Sequence, residues 1–286
     1  MQIFNQAFTT RQYMVSQDYE YFHCINNTNI EVEYHNHVFY EIFILLSGKV
    51  TYTIEGKSYR LKHGDIVLIN NNKFHKPVID MTEKYERIVI WVNPDFLIRN
   101  SLGGSSLDMC FGGINSVDNC LIRPSPESYN TIMSSTVRLE NAFNSISFGN
   151  SILRHIYILE LLVNINKAFL ESNHESVTHD IICNDKINQV IEYINNNLNK
   201  DLSLDALSSR FFVSKYHLLR KFKKYTGYTL HSYVQQKRLL YSKKLILEGN
   251  SVGTVCNLCG FEDYSNFIRS FKKNFGLSPK KYSRSL

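Results

Sequence analysis

No stretch of 18 consecutive apolar residues occurs in this 286-residue chain. The nearest, Ser151 to Leu170, is broken by Arg154, His155, Glu160, Asn164, Asn166 and Lys167, which argues against a membrane-spanning helix. The opening residues, MQIFNQAFTTRQYMVSQDYEYF, show no basic segment followed by an apolar one, so no secretory leader is expected. Cysteine is sparse. Cys24, Cys110, Cys120, Cys183, Cys256 and Cys259 are scattered and make no disulfide framework. Cys256 and Cys259 have zinc or redox spacing, but there is no second pair and they fall in a helical pattern. They read as small core residues. Glycine and proline are few, 13 and 5, and no low-complexity tract exists, which excludes collagen-like and disordered chains. A cytoplasmic protein with reduced thiols is expected.

What is present is ordinary in total and uneven in place. Hydrophobic residues make up 43% and charged residues 20%, a globular composition, and the length suits two domains. The formal charge is only +6. Residues 184–286 hold 18 Lys/Arg against 7 Asp/Glu, a net of +11, while the rest carries 14 against 19, a net of −5. A basic third on a mildly acidic chain points to nucleic acid or an anionic surface as partner of that third.

Residues 20–92 predict β-structure. Val50–Glu55 alternates polar and apolar side chains, Ser47–Lys49 and Lys62–Asp65 supply turns, and Ile66–Ile69 is a short buried run. Residues 100–125 read as loop. Helices are expected at about 127–144 and 149–170, the second with an apolar face of Ile152, Ile156, Leu159, Val163 and Ile165. The polar stretch Glu171–Asp180 is the best linker candidate, and the chain from Lys186 onward is helical in pattern.

The basic third contains a repeat. The ending Arg-x-Phe-Lys-Lys-x-x-Gly recurs 49 residues apart, from Arg220 to Gly227 and from Arg269 to Gly276. Each copy is a short helix, a tight turn and a longer helix. Ser214 and Asp263 suit N-caps, and Gly227 and Gly276 suit the left-handed residue that ends a helix. Leu218 with Phe222, and Phe267 with Phe271, stand four apart on one buried face. The opposite faces carry Lys215, Tyr216, Leu219, Arg220 and Lys223, and then Tyr264, Ser265, Asn266, Arg269 and Lys273. Helix–turn–helix units place the start of the second helix in the major groove. The intervening helix, about 20 residues long, spans ~30 Å, near the ~34 Å between successive major-groove faces.

Residues 186–286 resemble the AraC/XylS family of bacterial transcription regulators. The likeness rests on Ser214-x-x-x-Leu218-x-Arg220-x-Phe222-Lys223, Gly227, Arg238-Leu239, Gly260-Phe261-x-Asp263, Phe267-x-Arg269-x-Phe271-Lys272 and Gly276-x-Ser278-Pro279-x-x-Tyr282. It implies seven helices with two helix–turn–helix motifs. It also implies groove-facing roles for Tyr216, Leu219 and Arg220, then for Ser265, Asn266 and Arg269, with Ser214, Lys215, Lys223 and Tyr264 beside them. Leu219 is apolar where the family often carries a polar side chain, which limits it to a thymine methyl or to shape.

Upstream, His35-Asn-His37-x-x-Tyr40-Glu41 and a later His75 look like the two motifs of the cupin barrel, the second degraded by Asn70 and Asn72. The family's sensor domain resembles the same barrel. On one strand His35, His37 and Glu41 would share a face. His35, His37, Tyr40, Glu41 and His75 are the expected effector pocket, and a polar, sugar-like molecule is favoured over a fatty acid. His35, His37, Glu41 and His75 also remain open as a metal set, or as a vestige holding nothing. Trp91 and Tyr40 read as pocket or barrel-packing aromatics, with core packing favoured for Trp91.

The resulting expectation is an α+β multidomain protein. Residues 1–175 form a cupin-like effector and dimerisation domain (barrel about 15–115, helices about 127–170), 176–184 a linker and 185–286 the DNA-binding domain. Double-stranded DNA, a small-molecule effector, a second copy of the chain and, for an activator, RNA polymerase are the expected partners. No membrane, cofactor or catalytic activity is expected. A cupin metalloenzyme with an appended DNA module, and a ligand-independent regulator controlled by a partner protein, stay as alternatives.

Overall fold

Runs rich in Ile, Val, Phe and Tyr, cut by Gly-centred turns, build the first part of the chain. The computed structural model describes residues 11–27, 32–71, 73–80, 82–112, 120–172 and 180–284. It divides into two units, Met1–Ile54 with Ser58–Ile182 and Glu55–Lys57 with Cys183–Leu286. Among the described residues the strands are β1 (Tyr19–Asn26), β2 (Tyr40–Ser47), β3 (Lys49–Ile54), β4 (Lys57–Arg60), β5 (Ile66–Ile69), β6 (His75–Asp80), β7 (Tyr85–Val92), β8 (Leu121–Ile122) and β9 (Ile181–Ile182). One sheet runs β1-β7-β2-β5-β8 and the other β6-β3-β4-β9. Together they make the cupin-like barrel.

Gly48 turns β2 into β3 at φ +105, and a Cβ there would lie 3.2 Å from both Lys84 O and Tyr85 Cα. Only glycine fits.

Side-chain alternation sorts the barrel into two apolar layers. Ile42 and Ile44 of β2, with Ile88, Ile90 and Val92 of β7, face the helices α2 (Pro126–Asn144) and α3 (Asn150–Glu171), where they meet Ile132, Leu139, Ile158, Leu161, Leu162 and Ile165. Each such fully buried aliphatic side chain contributes about 1.5–3 kcal/mol of transfer free energy. The opposite parity, Phe43 and Leu45 with Val50, Tyr52, Ile54, Val67, Ile69 and Tyr85, fills the barrel interior. A short helix α1 (Pro94–Asn100), capped by Asn93, adds Phe96 and Leu97 to the helix-facing layer. Ser125 caps α2 by accepting from Ser128 N, and Pro126 sits in the first turn, where no N–H is missed.

The α3 face differs from the sequence reading. The buried stripe is Ile158, Leu161, Leu162 and Ile165, whereas Ile152, Ile156 and Val163 are 62%, 49% and 41% exposed. This helix is apolar on two sides, and the barrel and α2 cover only one.

Among its described residues, the loop expected at 100–125 contains a 3₁₀ turn at Met109–Phe111 and the two-residue strand β8. Residues 113–119, like Asn72, lie outside the described residues. So do residues 176–179 of the expected linker, whose Ile181–Ile182 form β9 against β4. Asp180, just before β9, accepts from Lys62 Nζ at 2.8 Å and from Arg123 Nη1 at 2.6 Å.

The second unit is helical: α4 (Asp185–Asn196), α5 (Leu204–Arg210), α6 (Lys215–Thr226), α7 (Leu230–Leu247), α8 (Val252–Leu258), α9 (Tyr264–Phe275) and α10 (Pro279–Tyr282). Side-chain caps start six of them in succession. Asn184, Ser203, Ser214, Thr229, Ser251 and Asp263 each accept from the third backbone N–H that follows. Leu207, Leu218, Phe222, Leu230 and Tyr233 pack the first helix–turn–helix. Val255, Cys256, Cys259, Phe261, Phe267 and Phe271 pack the second. Arg238 of α7 donates to Leu198 O at 2.9 Å and Lys200 O at 2.8 Å, so it pins the α4–α5 loop. No helix among the described residues is long and apolar enough to cross a membrane.

Candidate nucleic-acid interface and a buried histidine cluster

The helices α6 and α9 are built alike. Leu218 and Phe222 of α6 are fully buried, as are Phe267 and Phe271 of α9. The i,i+4 pair on one face turns the other face outward. Ser214, Lys215, Tyr216, Leu219, Arg220 and Lys223 are all exposed on α6 and its cap. Tyr264, Ser265, Asn266 and Arg269 are exposed on α9. Gly227 and Gly276 end these helices at φ 75 and 77, each donating its N–H to the carbonyl of Lys223 or Lys272. The side chain of Lys215 is tied in an ion pair with Asp205 of α5.

The turns before the two helices share one backbone course. Phe212 N donates to Ser209 O at 3.3 Å and Val213 N to Ser208 O at 3.0 Å. Forty-eight residues on, Gly260 N donates to Asn257 O at 3.0 Å and Phe261 N to Cys256 O at 3.1 Å. Phe212 and Gly260 thus hold equivalent positions, and both have positive φ, +52 and +73. Glycine adopts that region freely and phenylalanine does not. The Phe212 side chain is 94% exposed.

The second site lies in the barrel. His35 N donates to His75 O at 3.1 Å and His75 N to His35 O at 2.9 Å, a two-bond bridge that sets the two imidazoles side by side. Their ring centroids are 4.2 Å apart, and His37 lies 4.7 Å from His75 and 6.1 Å from His35. One nitrogen from each ring falls within 4.8 Å of the others. All three rings are pinned in the same way. Nδ1 of His35, His37 and His75 sits 2.9, 2.8 and 2.8 Å from the carbonyls of Glu33, Phe39 and Lys73. A carbonyl only accepts, so Nδ1 carries a proton in each ring.

Glu41 completes the group. Tyr52 Oη donates to its Oε1 at 2.9 Å, and the Trp91 indole N–H donates to its Oε2 at 2.9 Å. Its Oε2 also lies 3.2 Å from His37 Nε2. Burial acts to raise the Glu41 carboxyl, but the contact with His37 and the neighbouring imidazoles outweighs it and holds the group below the usual carboxylate range. Burial pushes His75 well below the usual histidine value and lowers His35 as well.

The expected pocket is corrected at one residue. Tyr40 is not in the cluster. It precedes Glu41 on β2, so it points to the other side of the sheet, where it stacks on Phe111 at 4.4 Å. Two residues of the cluster lie outside the five expected pocket residues. Tyr52 was legible only as one of the alternating side chains of β3. Trp91, a pocket or packing aromatic by sequence, does both: it packs on Phe39 and Phe22, and register places it opposite Glu41 on β7. His35 and His37 precede β2 rather than lying on it. A bend at Val38–Phe39 brings His37 over Glu41, in place of simple strand parity.

Residues 20–162 match the family model of the AraC-like ligand binding domain, and residues 207–285 match that of a helix-turn-helix domain. The HTH-type transcriptional activator RhaS of Escherichia fergusonii is 25% identical over 249 residues, covering 86% of this chain and 85% of that protein. The probable transcriptional regulator LumQ of Photobacterium leiognathi is 25% identical over 252 residues, covering 87% and 91%. Among solved structures, ToxT from Vibrio cholerae matches at 15% identity and a TM-score of 0.36, over 94% of this chain and 99% of that one.

Proposed function

The chain belongs to the AraC family of transcriptional regulators, with an N-terminal ligand-binding domain and a C-terminal helix-turn-helix DNA-binding domain, and from this premise we propose how its residues divide the work. The helices α6 and α9 read two successive major-groove faces of one duplex. The observation that carries this is the shared build of the two helices, each with one buried aromatic or leucine face and one exposed polar and basic face. The 18 residues of α7 between them span ~27 Å. Arg220 and Arg269 contact guanine edges, and Asn266 and Ser265 contact neighbouring bases. Tyr216, Leu219 and Tyr264 supply apolar contact, and Ser214, Lys215 and Lys223 contact phosphate.

Footprinting on the natural operator tests the assignment. Arg220→Ala and Arg269→Ala should each weaken specific binding by about 1–3 kcal/mol and relax preference at one base position. A footprint unchanged in both variants refutes it. Binding should also fall steeply with salt, because the +11 of residues 184–286 releases condensed counterions.

The barrel senses a small polar effector at His35, His37, Glu41 and His75, with Tyr52 and Trp91 beside them. Its role is binding, not catalysis, which is supported by the match to a ligand-binding domain. A thermal-shift screen against sugars and other polar molecules tests this, because an effector raises the melting temperature by mass action. The exposed stripe Ile152, Ile156 and Val163 of α3 pairs with that of a second copy. The regulator acts as an activator on RNA polymerase, a reading supported by the name of the RhaS relative. The division into an effector domain before residue 175 and a DNA-binding domain from 185 follows the same logic.

A further inference from the structure

We propose that α6 is held against both phosphate walls of its major groove, the second of them by a basic groove between the start of α4 and the flank of α6. The inference rests on the DNA-binding reading and adds Lys186 and Lys221 to its contacts.

A helix with its side chains is about 10–12 Å across, and the major groove is about 12 Å wide. A helix seated there has base edges ahead of it and a sugar–phosphate strand along each flank. Successive residues turn by about 100° around a helix. With Tyr216 and Arg220 facing the bases, Lys215 lies on one flank, and His217 and Lys221 lie on the other. The Lys215 flank borders α5, through the ion pair with Asp205. The opposite flank borders α4. There Lys186, His217 and Lys221 line a groove of about 410 Å³, which Ile187 and Leu218 line with buried apolar surface. The exposed Phe212 ring lines it as well.

Three observations identify an anionic occupant. First, no Asp or Glu lines the groove. Asp185, next to Lys186 in the chain, accepts instead from the Cys183 thiol at 3.3 Å. Second, Lys186 and Lys221 have no ion-pair partner among the described residues, although Lys221 is half-buried. A lysine confined in this way has lost part of its rotamer freedom before any ligand arrives, which lowers the ordering cost of an anion contact. Third, the fold does not require the charge. At the position equivalent to Lys221, 49 residues on, α9 carries Ser270, and that helix has the same build. The lysine belongs to the surface of the first motif, not to its packing. Position then selects DNA as the anion. The groove runs along the flank of the helix that reads the bases, and a duplex presents one phosphate charge per ~1.7 Å of its axis. The strand on this flank is the one opposite to that beside Lys215, so contacts on both sides centre α6 between two walls.

Salt titration of the full-length chain on the operator fragment defined by footprinting tests this. Lys186→Ala removes an exposed charge, and Lys221→Met removes a charge while keeping the stem. Each should lower the slope of log K against log salt by about 0.9 and weaken binding roughly fivefold at 0.15 M salt. The double variant should lose about twice the slope. Base preference should stay that of the parent, unlike the result expected of Arg220→Ala. Lys221→Arg should restore the slope, and Lys84→Ala, in the barrel unit, should leave it unchanged. An unchanged slope in the double variant overturns the inference and leaves the base-reading helices standing. A parent that binds no duplex overturns both. Variants that bind DNA as the parent does, yet lose transcription with RNA polymerase, give the groove to an acidic protein surface and overturn the DNA contact.

Discussion

Phe212 and Gly260 offer the same left-handed backbone position in two surroundings, so removing a side chain at the first turn and adding one at the second should have opposite signs. Phe212 sits at φ +52 with its ring 94% exposed. Holding an L-residue in the left-handed region costs about 1–2 kcal/mol. Replacing it by glycine relieves that strain and gives up almost no buried area. Against this, the glycine-bearing unfolded chain is more disordered, by roughly 0.5–1 kcal/mol. Phe212→Gly should therefore stabilise by about 0.5–1 kcal/mol, a rise of roughly 3–6 °C for a domain of this size. At Gly260 a Cβ would lie 2.5 Å from Leu198 O, 2.9 Å from Arg238 Nη2 and 3.0 Å from Asn199 Cα. Leu198 O is the acceptor of the Arg238 staple, so the turn cannot retreat without breaking it. Gly260→Ala adds strain and overpacking, together about 2–4 kcal/mol destabilising. Scanning calorimetry of the full chain reads both. A lower melting temperature for Phe212→Gly would show that the phenyl ring makes a stabilising contact and would refute the reasoning. Operator affinity of the same variant adds a second reading: a stabilised protein that binds DNA more weakly identifies the ring as a residue kept for contact.

Other expectations are simpler. Ser214→Ala and Asp263→Ala each remove a cap and should lower the stability of the helical unit by about 0.5–2 kcal/mol, measured by urea melts; equal midpoints would deny the caps a role. Ile156→Asp should turn the dimer expected through α3 into a monomer by light scattering, and an unchanged mass would move the dimer contact elsewhere. Asp180 is held down to about 2 by the bonds from Lys62 and Arg123. A depressed carboxyl stabilises fully above its unfolded value near ~3.9 and loses that contribution as pH falls towards 2, so Asp180→Asn should flatten the stability curve in that window and not at neutral pH. A variant whose acid melting curve matches the parent's would dismiss the pair.

The helical unit was legible because its signals are local. A cap, an i,i+4 pair and a terminal glycine all lie within one helix, and two copies make the pattern hard to mistake. Phe212 was invisible for the converse reason: nothing in a phenylalanine announces positive φ. The barrel needed long-range information. His35, Glu41 and His75 could be grouped from their motif, but Tyr52 and Trp91 join them through strand register, which a single sequence does not state. Tyr40 shows the limit of proximity in sequence, since its neighbour Glu41 faces the other way. The α3 helix left packing on the barrel and contact with a partner both open, because both its faces are apolar and periodicity alone does not say which one the barrel claims. Two-residue strands such as β8 and β9 are too short to leave any periodic trace.

The alternation of β2 has a mechanical consequence. Glu41 faces the barrel interior with the histidines, while Tyr40 and Ile42, its two neighbours, press on the layer of α2 and α3. The wall between the histidine cluster and the helices is therefore one peptide thick. Planar peptide units and close packing leave such a wall little give, so a displacement of the carboxylate by an arriving ligand is felt by its neighbours on the far side. Those neighbours bear on the same helix whose outer stripe is open to a partner. A sensor wired through a single strand needs no hinge, and its response is set by how stiffly that strand is clamped between β5 and β7.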